Sequence, residues 1–349
     1  MALNTTKLEI FCGTGGVGKT TLASSRAMHL SLQGKKVLLI TIDPSKRLKQ
    51  ILNLTDGDAG EKHSVPVQSV IDKGEGQSFD AILMSPTHTF EQMHLKQERK
   101  GKNQILNILM RPNGGMNDIM AIIEVQKHIE SNEYDVIILD TPPGKHFLDF
   151  LKSTQKIDRF FDKNFIEIFK YFGKKVTTNR LALTPKKVIG LVVSSGLKKL
   201  LKYLEVVTGK DFVEEFVDAI FILYTNKEKF LGALGFQKYI ESNSNYELFL
   251  VASTEQQKLS EVLSIHQKSN IFAKEKTTIA VNKSNKKQID AVDTSQLNIE
   301  EEEIIAYYRE LENKVSAFSE RYFGNFLIFE ETFSPSPKKQ VKHLVSEWK

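Results

Sequence analysis

Short apolar runs alternate along the chain with segments in which apolar residues recur every three or four positions. The apolar runs include "KLEIFCG" (residues 7–13), "KVLLITIDP" (36–44) and "YDVIILDTPPG" (134–144). Apolar runs of this length that end at glycine or proline are typical of buried strands. The segment after the first run, "KTTLASSRAMHLSLQGK", has helical periodicity and stops at a glycine. Strands that alternate with helices predict an α/β fold with a doubly wound, mostly parallel sheet.

The pattern changes in the middle of the chain. Residues 146–236 carry helical periodicity and need no strand, and residues 87–131 are also mostly helical, with a break at "RPNGG". Apolar strand runs then return in "YELFLVAS", "KTTIAVNKS" and "NFLIFEE", and a helix is predicted after each of the first and last of these runs. The polar stretch 284–298 is predicted to be a loop, and "IEEEEIIAYYRELENKVSAFSERY" a helix. We therefore predict one domain over residues 1–349, with a helical subdomain inserted in its α/β core.

Composition excludes several classes of protein. The 349 residues contain 48 Lys and Arg and 43 Asp and Glu, so the net charge of +5 is too small to predict nucleic-acid binding. Cys12 is the single cysteine, which excludes an internal disulfide or a zinc site built on several cysteines and indicates a reducing compartment. We find no run of about 18 apolar residues that would cross a bilayer, and no signal peptide. A cytoplasmic protein without stable membrane insertion is expected.

A glycine-rich stretch between the first strand and the first helix carries the clearest chemistry. It fits the pattern G-x-x-x-x-G-K-[ST] over Gly13, Thr14, Gly15, Gly16, Val17, Gly18, Lys19 and Thr20, and Thr21 follows. Glycines let backbone N–H groups turn towards phosphate oxygens, the lysine reaches the β- and γ-phosphates, and the threonine hydroxyl ligates Mg²⁺. The start of the helix adds its dipole. These residues predict a binding site for ATP and Mg²⁺.

Polar residues at three predicted strand ends are further candidates. Asp140 ends "VIILD" at the edge of the sheet where ligands bind, which suits a carboxylate that holds Mg²⁺ through water. Asp43 ends "LLITID" and is placed to orient the attacking water, although it can also cap the following helix. Asn282 ends "TTIAVN", where its amide suits an adenine edge or simply forms a turn.

Taken together, the segments "GTGGVGKTT", "IDPSKRL", "DTPPGKHFLDFL" and "AVNKS" resemble the arsenite-pump-like, or anion-transporting, ATPase family over nearly the whole chain. The resemblance implies a P-loop NTPase that works as a homodimer with ATP and Mg²⁺. It assigns the attacking water to Asp43 and the adenine contact to Asn282. It also implies a switch II segment, which transmits the hydrolysis state to the helical subdomain, formed by Thr141, Pro142, Pro143, Gly144, Lys145 and His146.

Two residues depart from the family pattern. Arsenite-binding members use several cysteines, and this chain has only Cys12, so a cysteine-based arsenite site within one chain is excluded. Thr14 stands where a subclass of these ATPases has a lysine that reaches the partner's phosphates. The absence of this lysine predicts slower hydrolysis, weaker ATP-dependent dimerisation or the use of another cation in its place. The cations of the switch segments are the candidates for such a replacement: Lys46, Arg47 and Lys145.

The resemblance leaves the coupled partner open. One hypothesis is a membrane transporter for an anion, and another is a client protein with a hydrophobic segment. The aromatic stripe from Phe160 to Phe172 is most simply helical core, although it could also line a groove for such a client. A third hypothesis is a MinD- or ParA-like positioning switch. A P-loop kinase would need a phosphoryl-acceptor site, which the sequence does not indicate.

Overall fold

The computed structural model describes residues 6–42, 45–94, 117–144, 146–147, 203, 205–212, 215, 219, 223, 226–242, 245–269, 272–322 and 324–348. Eight strands of this described part form one sheet. They are β1 (Lys7–Gly13), β2 (Val37–Thr41), β3 (Lys62–Pro66), β4 (Ser78–Leu83), β5 (Val136–Asp140), β6 (Tyr246–Ser253), β7 (Thr277–Ser284) and β8 (Asn325–Glu330).

The strand order places β1 in the middle of the sheet. The order is β3-β4-β2-β5-β1-β6-β7-β8, and every neighbouring pair is parallel except the antiparallel pair of β3 with β4. The strands β2 and β5 are buried along their whole length, as expected for a sheet covered by helices on both faces. The predicted doubly wound, mostly parallel α/β fold is confirmed. In such a sheet the ligand crevice lies at the carboxyl ends of the strands, around the central β1.

Helices connect and flank these strands. Those in the described part are α1 (Lys19–Leu32), α2 (Lys46–Leu52), α3 (Pro86–His94), α4 (Asn117–Ser131), α5 (Lys227–Ser242), α6 (Gln256–Lys268), α7 (Lys286–Asp290), α8 (Ile299–Arg321) and α9 (Pro337–Glu347). The predicted loop at 284–298 is wrong in part, because α7 and a 3-10 turn at Thr294–Gln296 lie within it. Burial of Ile289 anchors this short helix despite its polar sequence.

Internal contacts divide the chain into two compact units. The first comprises residues 1–85, 127–151 and 237–349 and contains the sheet, and the second comprises residues 86–126 and 152–236. The described stretches of the second unit include all of α3 and the first part of α4 and of α5. The predicted helical subdomain at about 146–236 falls mostly outside the described residues and stays a prediction. The "RPNGG" break and the aromatic stripe Phe160–Phe172 also lie outside them.

An aromatic cluster holds the last helix against the first. The ring of Trp348, which follows α9, lies 4.6 Å from that of Phe329, 5.7 Å from that of Phe249 and 6.1 Å from that of Phe11, measured between centroids. The Trp348 indole N–H donates a hydrogen bond of 2.8 Å to the Ser25 hydroxyl on α1. Because these rings come from β1, β6, β8 and the chain beyond α9, the cluster joins elements that are distant in sequence.

A buried carboxylate joins β1 to α1. The side chain of Glu9 is 1% exposed and accepts two hydrogen bonds from the Arg26 guanidinium, at 2.9 and 3.0 Å. Lys7 Nζ donates to the same carboxylate at 3.0 Å. Burial alone would raise the pKa of Glu9, but the hydrogen bonds and charges of Arg26 and Lys7 outweigh burial and hold the pKa below its ordinary value. This pairing fixes α1, which carries Lys19, against the central strand.

We expect Glu9→Gln to destabilise the protein at pH 7 and to lose that effect in acid. A carboxyl group whose pKa is lowered by folding adds stability above its unfolded pKa of 4.5, and that stability disappears as the pH falls through the lower folded value. Below pH 4.5 the stability of the wild-type protein should therefore fall by up to about 1.4 kcal/mol more per pH unit than that of the variant. Urea unfolding between pH 3 and 7 measures this difference. The exposed Glu303→Gln is the matched control, and curves of Glu9→Gln and wild type that stay parallel in acid would contradict the expectation.

None of the helices in the described part is long and apolar enough to cross a membrane.

Candidate functional site

The turn from β1 to α1 requires glycine at two positions. A Cβ at Gly13 would lie 2.1 Å from the Val251 carbonyl oxygen, so no side chain fits between β1 and β6 there. Gly18 has φ +88°, and a Cβ on it would lie 2.3 Å from Asn282 Nδ2. Both the left-handed backbone and the close approach exclude other residues. The loop that the sequence predicts at Gly13–Thr20 is therefore closely approached by β6 at Gly13 and by β7 at Gly18, whereas a Cβ at Gly15 or Gly16 would meet no atom within 4 Å.

Lys19 is the first residue of α1 and directly follows Gly18 of the loop. Its side chain is largely buried, and its ammonium group donates a hydrogen bond of 3.0 Å to the Thr14 carbonyl oxygen. The Thr14 side chain is also buried, and its hydroxyl has no hydrogen-bond partner among the described residues. The loop is thus closed by its own lysine, which is the group that would reach the phosphates of a bound nucleotide.

Three oxygen-bearing side chains meet at the carboxyl ends of β2 and β5. The Thr20 hydroxyl donates to Asp140 Oδ2 at 2.7 Å, and the Thr41 hydroxyl donates to the same oxygen at 3.1 Å. Parallel pairing sets Asp140 opposite Phe11 of β1 and Thr41 of β2, which explains why the carboxylate lies beside the loop. Hydroxyl and carboxylate oxygens are the ligands that Mg²⁺ prefers. The donor set formed by Thr20 and Asp140 therefore fits that ion.

The end of β7 contacts the outside of the loop. Asn282 is buried, and its amide donates to the Val17 carbonyl oxygen at 2.9 Å. The next residue, Lys283, donates from Nζ to the Gly16 carbonyl oxygen at 3.1 Å. The structure thus brings Asn282 to the loop, and its contact with adenine stays a prediction. Sequence reasoning missed Lys283, although it follows directly in "AVNKS".

A cavity of about 310 Å³ opens beside the loop. Its lining comes from the loop and α1, from the start of α2, from the ends of β7 and β8 with the segment that follows β8, and from α9: Gly16, Gly18, Lys19, Thr20, Thr21, Ser45, Arg47, Asn282, Lys283, Glu330, Glu331, Thr332, Gln340 and Leu344. Burial raises the pKa of Glu330 above its ordinary value. Arg47, one of the cations predicted to replace the missing lysine, lines this cavity.

The strand β5 ends at Asp140, and the segment that follows is not part of the sheet. The Thr141 hydroxyl donates to the Phe11 carbonyl oxygen at 2.8 Å, Gly144 has φ +27°, and His146 N donates to the Pro143 carbonyl oxygen at 2.9 Å. Pro142 is half-buried beside them. Thr141 thus anchors the segment to β1, next to the loop. Two predicted site residues, Asp43 and Lys145, lie outside the described residues.

Cys12 is fully buried in β1. Burial raises the pKa of its thiol to about 12, so the group is protonated near neutral pH. A buried, protonated thiol is neither a nucleophile nor a ready ligand for a soft ion. Cys12 therefore acts as a small apolar side chain beneath the loop.

Comparison with known proteins gives a family match over most of the chain. The sequence model of the anion-transporting ATPases matches residues 6–321. A protein of Aquifex aeolicus provisionally named arsenical pump-driving ATPase 2 is 29% identical over 179 residues, which cover 49% of this chain and 58% of that protein. ATPase GET3 of Malassezia globosa is 30% identical over 170 residues, which cover 48% of this chain and 47% of that protein. The chain thus spans about half the length of these curated relatives.

Proposed function

This chain belongs to the anion-transporting ATPase family, and from that premise we propose that it hydrolyses ATP and that its ATP cycle, supported by Mg²⁺, is coupled to a transporter or a client protein. The observation that carries the proposal is the contact of Thr20 with Asp140 at 2.7 Å. It joins the phosphate-binding loop to the residue from which the switch segment starts. A change at the nucleotide would therefore reach that segment directly.

Thr20 and Asp140 would hold Mg²⁺, Thr20 directly and Asp140 through water. When bound, the ion neutralises charge on the β- and γ-phosphate oxygens. The protein's own contributions are Lys19, which would bind the same phosphates, and the loop amides, which the glycines free to face them. Asp43 would orient the attacking water. These roles extend the predictions from sequence. The contact of Thr20 with Asp140 supports the two roles at Mg²⁺, and the role of Asp43 rests on the family resemblance.

Chain connectivity supports coupling through the switch segment. Residues 141–144 follow Asp140 immediately, and the chain leaves the first compact unit at residue 151 to enter the second at residue 152. We therefore expect that breaking the hydrogen bond from the Thr141 hydroxyl to the Phe11 carbonyl oxygen would displace the segment that leads into the second unit. We propose that the second unit reports the nucleotide state to a partner.

We further propose that two copies of the chain work together. One chain supplies one phosphate-binding loop, and the resemblance implied nucleotide-dependent homodimers. Thr14 is neutral and buried, so it cannot reach a second copy as the lysine of related ATPases does. Light scattering with and without ATP tests this proposal, because the expected result is a doubling of mass with ATP and Mg²⁺, and a monomer under both conditions would contradict it.

A hydrophobic protein segment is the client that one observation favours. In the second unit Tyr203, Val206 and Val207 are each more than half exposed, at 64%, 81% and 61%, and Phe212 is 40% exposed. Tyr203, Val206 and Val207 are three or four positions apart in helical backbone and so share one helix face, and apolar side chains exposed together are typical of interaction sites. An arsenite site on several thiols is excluded within one chain, because Cys12 is the single cysteine and is buried.

The variant Asp43→Asn tests the coupling. We expect it to bind ATP without turning it over, because the neutral amide lacks the negative charge with which a carboxylate orients and polarises the attacking water. Loaded with ATP and Mg²⁺, it should retain a partner from cell extract that Lys19→Ala, which lacks the phosphate-binding cation, does not retain. Mass spectrometry then separates a transporter from a protein with a hydrophobic segment. Unchanged turnover in Asp43→Asn contradicts its role, and identical partners with both variants contradict coupling to ATP.

A further inference from the structure

Lys283 has an unusual backbone conformation for its residue type. Three non-glycine residues of the described part have positive φ: Asn53, Asn132 and Lys283, the last at +64°. Asparagine tolerates the left-handed region, whereas a lysine there has no local compensation from its side chain. Residues held in such conformations persist where the surrounding structure imposes them, and they cluster at functional sites.

A bulge in the sheet imposes this conformation. Val281 pairs with Ile328 and Ser284 pairs with Glu330, so two residues of β7 stand opposite Phe329 alone. A bulge of this kind redirects a side chain out of the strand alternation. Asn282 and Ser284 on either side are buried, whereas Lys283 between them is exposed. The bulge thus frees the Lys283 side chain to reach the phosphate-binding loop.

The contact with the loop leaves the ammonium group available to a ligand. Among the residues that the structure describes, Lys283 Nζ donates one hydrogen bond, to the Gly16 carbonyl oxygen at 3.1 Å. An ammonium group has three N–H donors, so this bond does not exhaust them. Lys283 also lines the cavity that contains Lys19 and Thr20. A positive charge is therefore held at the mouth of the site by the loop itself.

We propose that Lys283 is a nucleotide-positioning residue: its ammonium group, oriented by the Gly16 carbonyl oxygen, attracts the polyphosphate of ATP and fixes the loop around it. The inference rests on the proposed binding of ATP at this loop. It adds a cation to Lys19 and Arg47 of the cavity lining, from an element that sequence reasoning assigned to the adenine side. The feature of ATP that the Lys283 ammonium group would recognise is the negative charge of the phosphate chain.

A purely structural role is the alternative, in which Lys283 only braces Gly16. Replacement by glycine removes the side chain without a backbone penalty, because glycine adopts positive φ without cost. If the side chain only braced Gly16, its loss would weaken the binding of ATP and of AMP equally. If Lys283 is a nucleotide-positioning residue, the affinity for ATP falls more than that for AMP, although the thermal midpoint is unchanged or higher.

The experiment measures the affinities of ATP, ADP and AMP by calorimetry, together with thermal midpoints, for Lys283→Met, Lys283→Gly and Lys283→Arg. Lys286→Met is the matched control, because it removes an exposed lysine that pairs with Asp290 and does not line the cavity. We expect Lys283→Met and Lys283→Gly each to weaken ATP binding by about tenfold, the loss typical of one charge-assisted hydrogen bond. The loss of affinity should be smaller for AMP. Lys283→Arg should bind ATP within about threefold of wild type, as expected if the positive charge decides the affinity. Lys286→Met should bind ATP like wild type.

Several results would overturn the inference. Wild-type affinity in both Lys283→Met and Lys283→Gly would show that the residue does not position the nucleotide. An equal loss for AMP and ATP, or no recovery with arginine, would show that the polyphosphate charge is not what it recognises. Failure of the proposed function is distinct, because then the wild-type protein and the Lys286→Met control would themselves bind no ATP.

Discussion

Asp140→Asn is expected to weaken the apparent affinity for Mg²⁺ in ATP hydrolysis by about 10–100-fold, the usual cost of altering a group that holds a metal through another ligand. One oxygen of Asp140, Oδ2, accepts the hydrogen bonds of both Thr20 and Thr41. The amide oxygen of asparagine can occupy that position and accept the same bonds. The substitution therefore removes the negative charge and leaves the two hydroxyl contacts in place.

A titration of ATPase activity with MgCl₂ measures this change. The expected curve shifts to higher concentration, and activity recovers in part at saturating Mg²⁺, while the thermal midpoint stays close to that of wild type. Asp135→Asn is the matched control, since Asp135 is a carboxylate that accepts from Lys36 N at 2.8 Å before β5 begins, away from the loop. A curve for Asp140→Asn that superimposes on the wild-type curve would contradict the proposed role of Asp140 in holding Mg²⁺.

Much of this site could be predicted because its signals are local. The glycines and the Gly-Lys-Thr ending fix the backbone of the loop, and a run of buried apolar residues stops at Asp140. Parallel pairing then brings Asp140 to β1 in a register that the fold class implies. The α/β class followed from the same alternation of apolar runs and helical periodicity. These features need only neighbouring residues to be recognised.

Other features depend on contacts that no local pattern contains. The left-handed conformation of Lys283 follows from a bulge between β7 and β8, and nothing in "AVNKS" indicates an extra residue. Burial of Glu9 inside an apolar strand depends on Arg26, 17 residues further along the chain, which donates two hydrogen bonds to it, as well as on the nearby Lys7. The strand β3 was not predicted, because an antiparallel edge strand that is largely exposed lacks an apolar run.

Trp348→Ala is expected to lower the free energy of unfolding by about 3–5 kcal/mol, the range for deleting a large buried aromatic side chain. Trp348 is 6% exposed, and its removal would leave a cavity between Phe329 and Phe249. It would also leave the Ser25 hydroxyl of α1 without the indole N–H that donates to it. The site should weaken with the fold, since α1 carries Lys19 and α9 carries two residues of the cavity lining, Gln340 and Leu344.

Urea unfolding followed by circular dichroism measures this loss, because Trp348 is the single tryptophan and the variant has no indole fluorescence. Trp348→Phe should cost less than alanine, since it keeps most of the ring packing and loses mainly the hydrogen bond, worth about 1 kcal/mol. The matched control is Phe333→Ala, an aromatic deletion at a side chain that is 79% exposed, where the expected change is below about 0.5 kcal/mol. Equal midpoints for Trp348→Ala and Phe333→Ala would show that the aromatic cluster does not hold α9 against α1. A selective loss in Trp348→Ala, together with weaker ATP binding, would link the stability of this cluster to the nucleotide site.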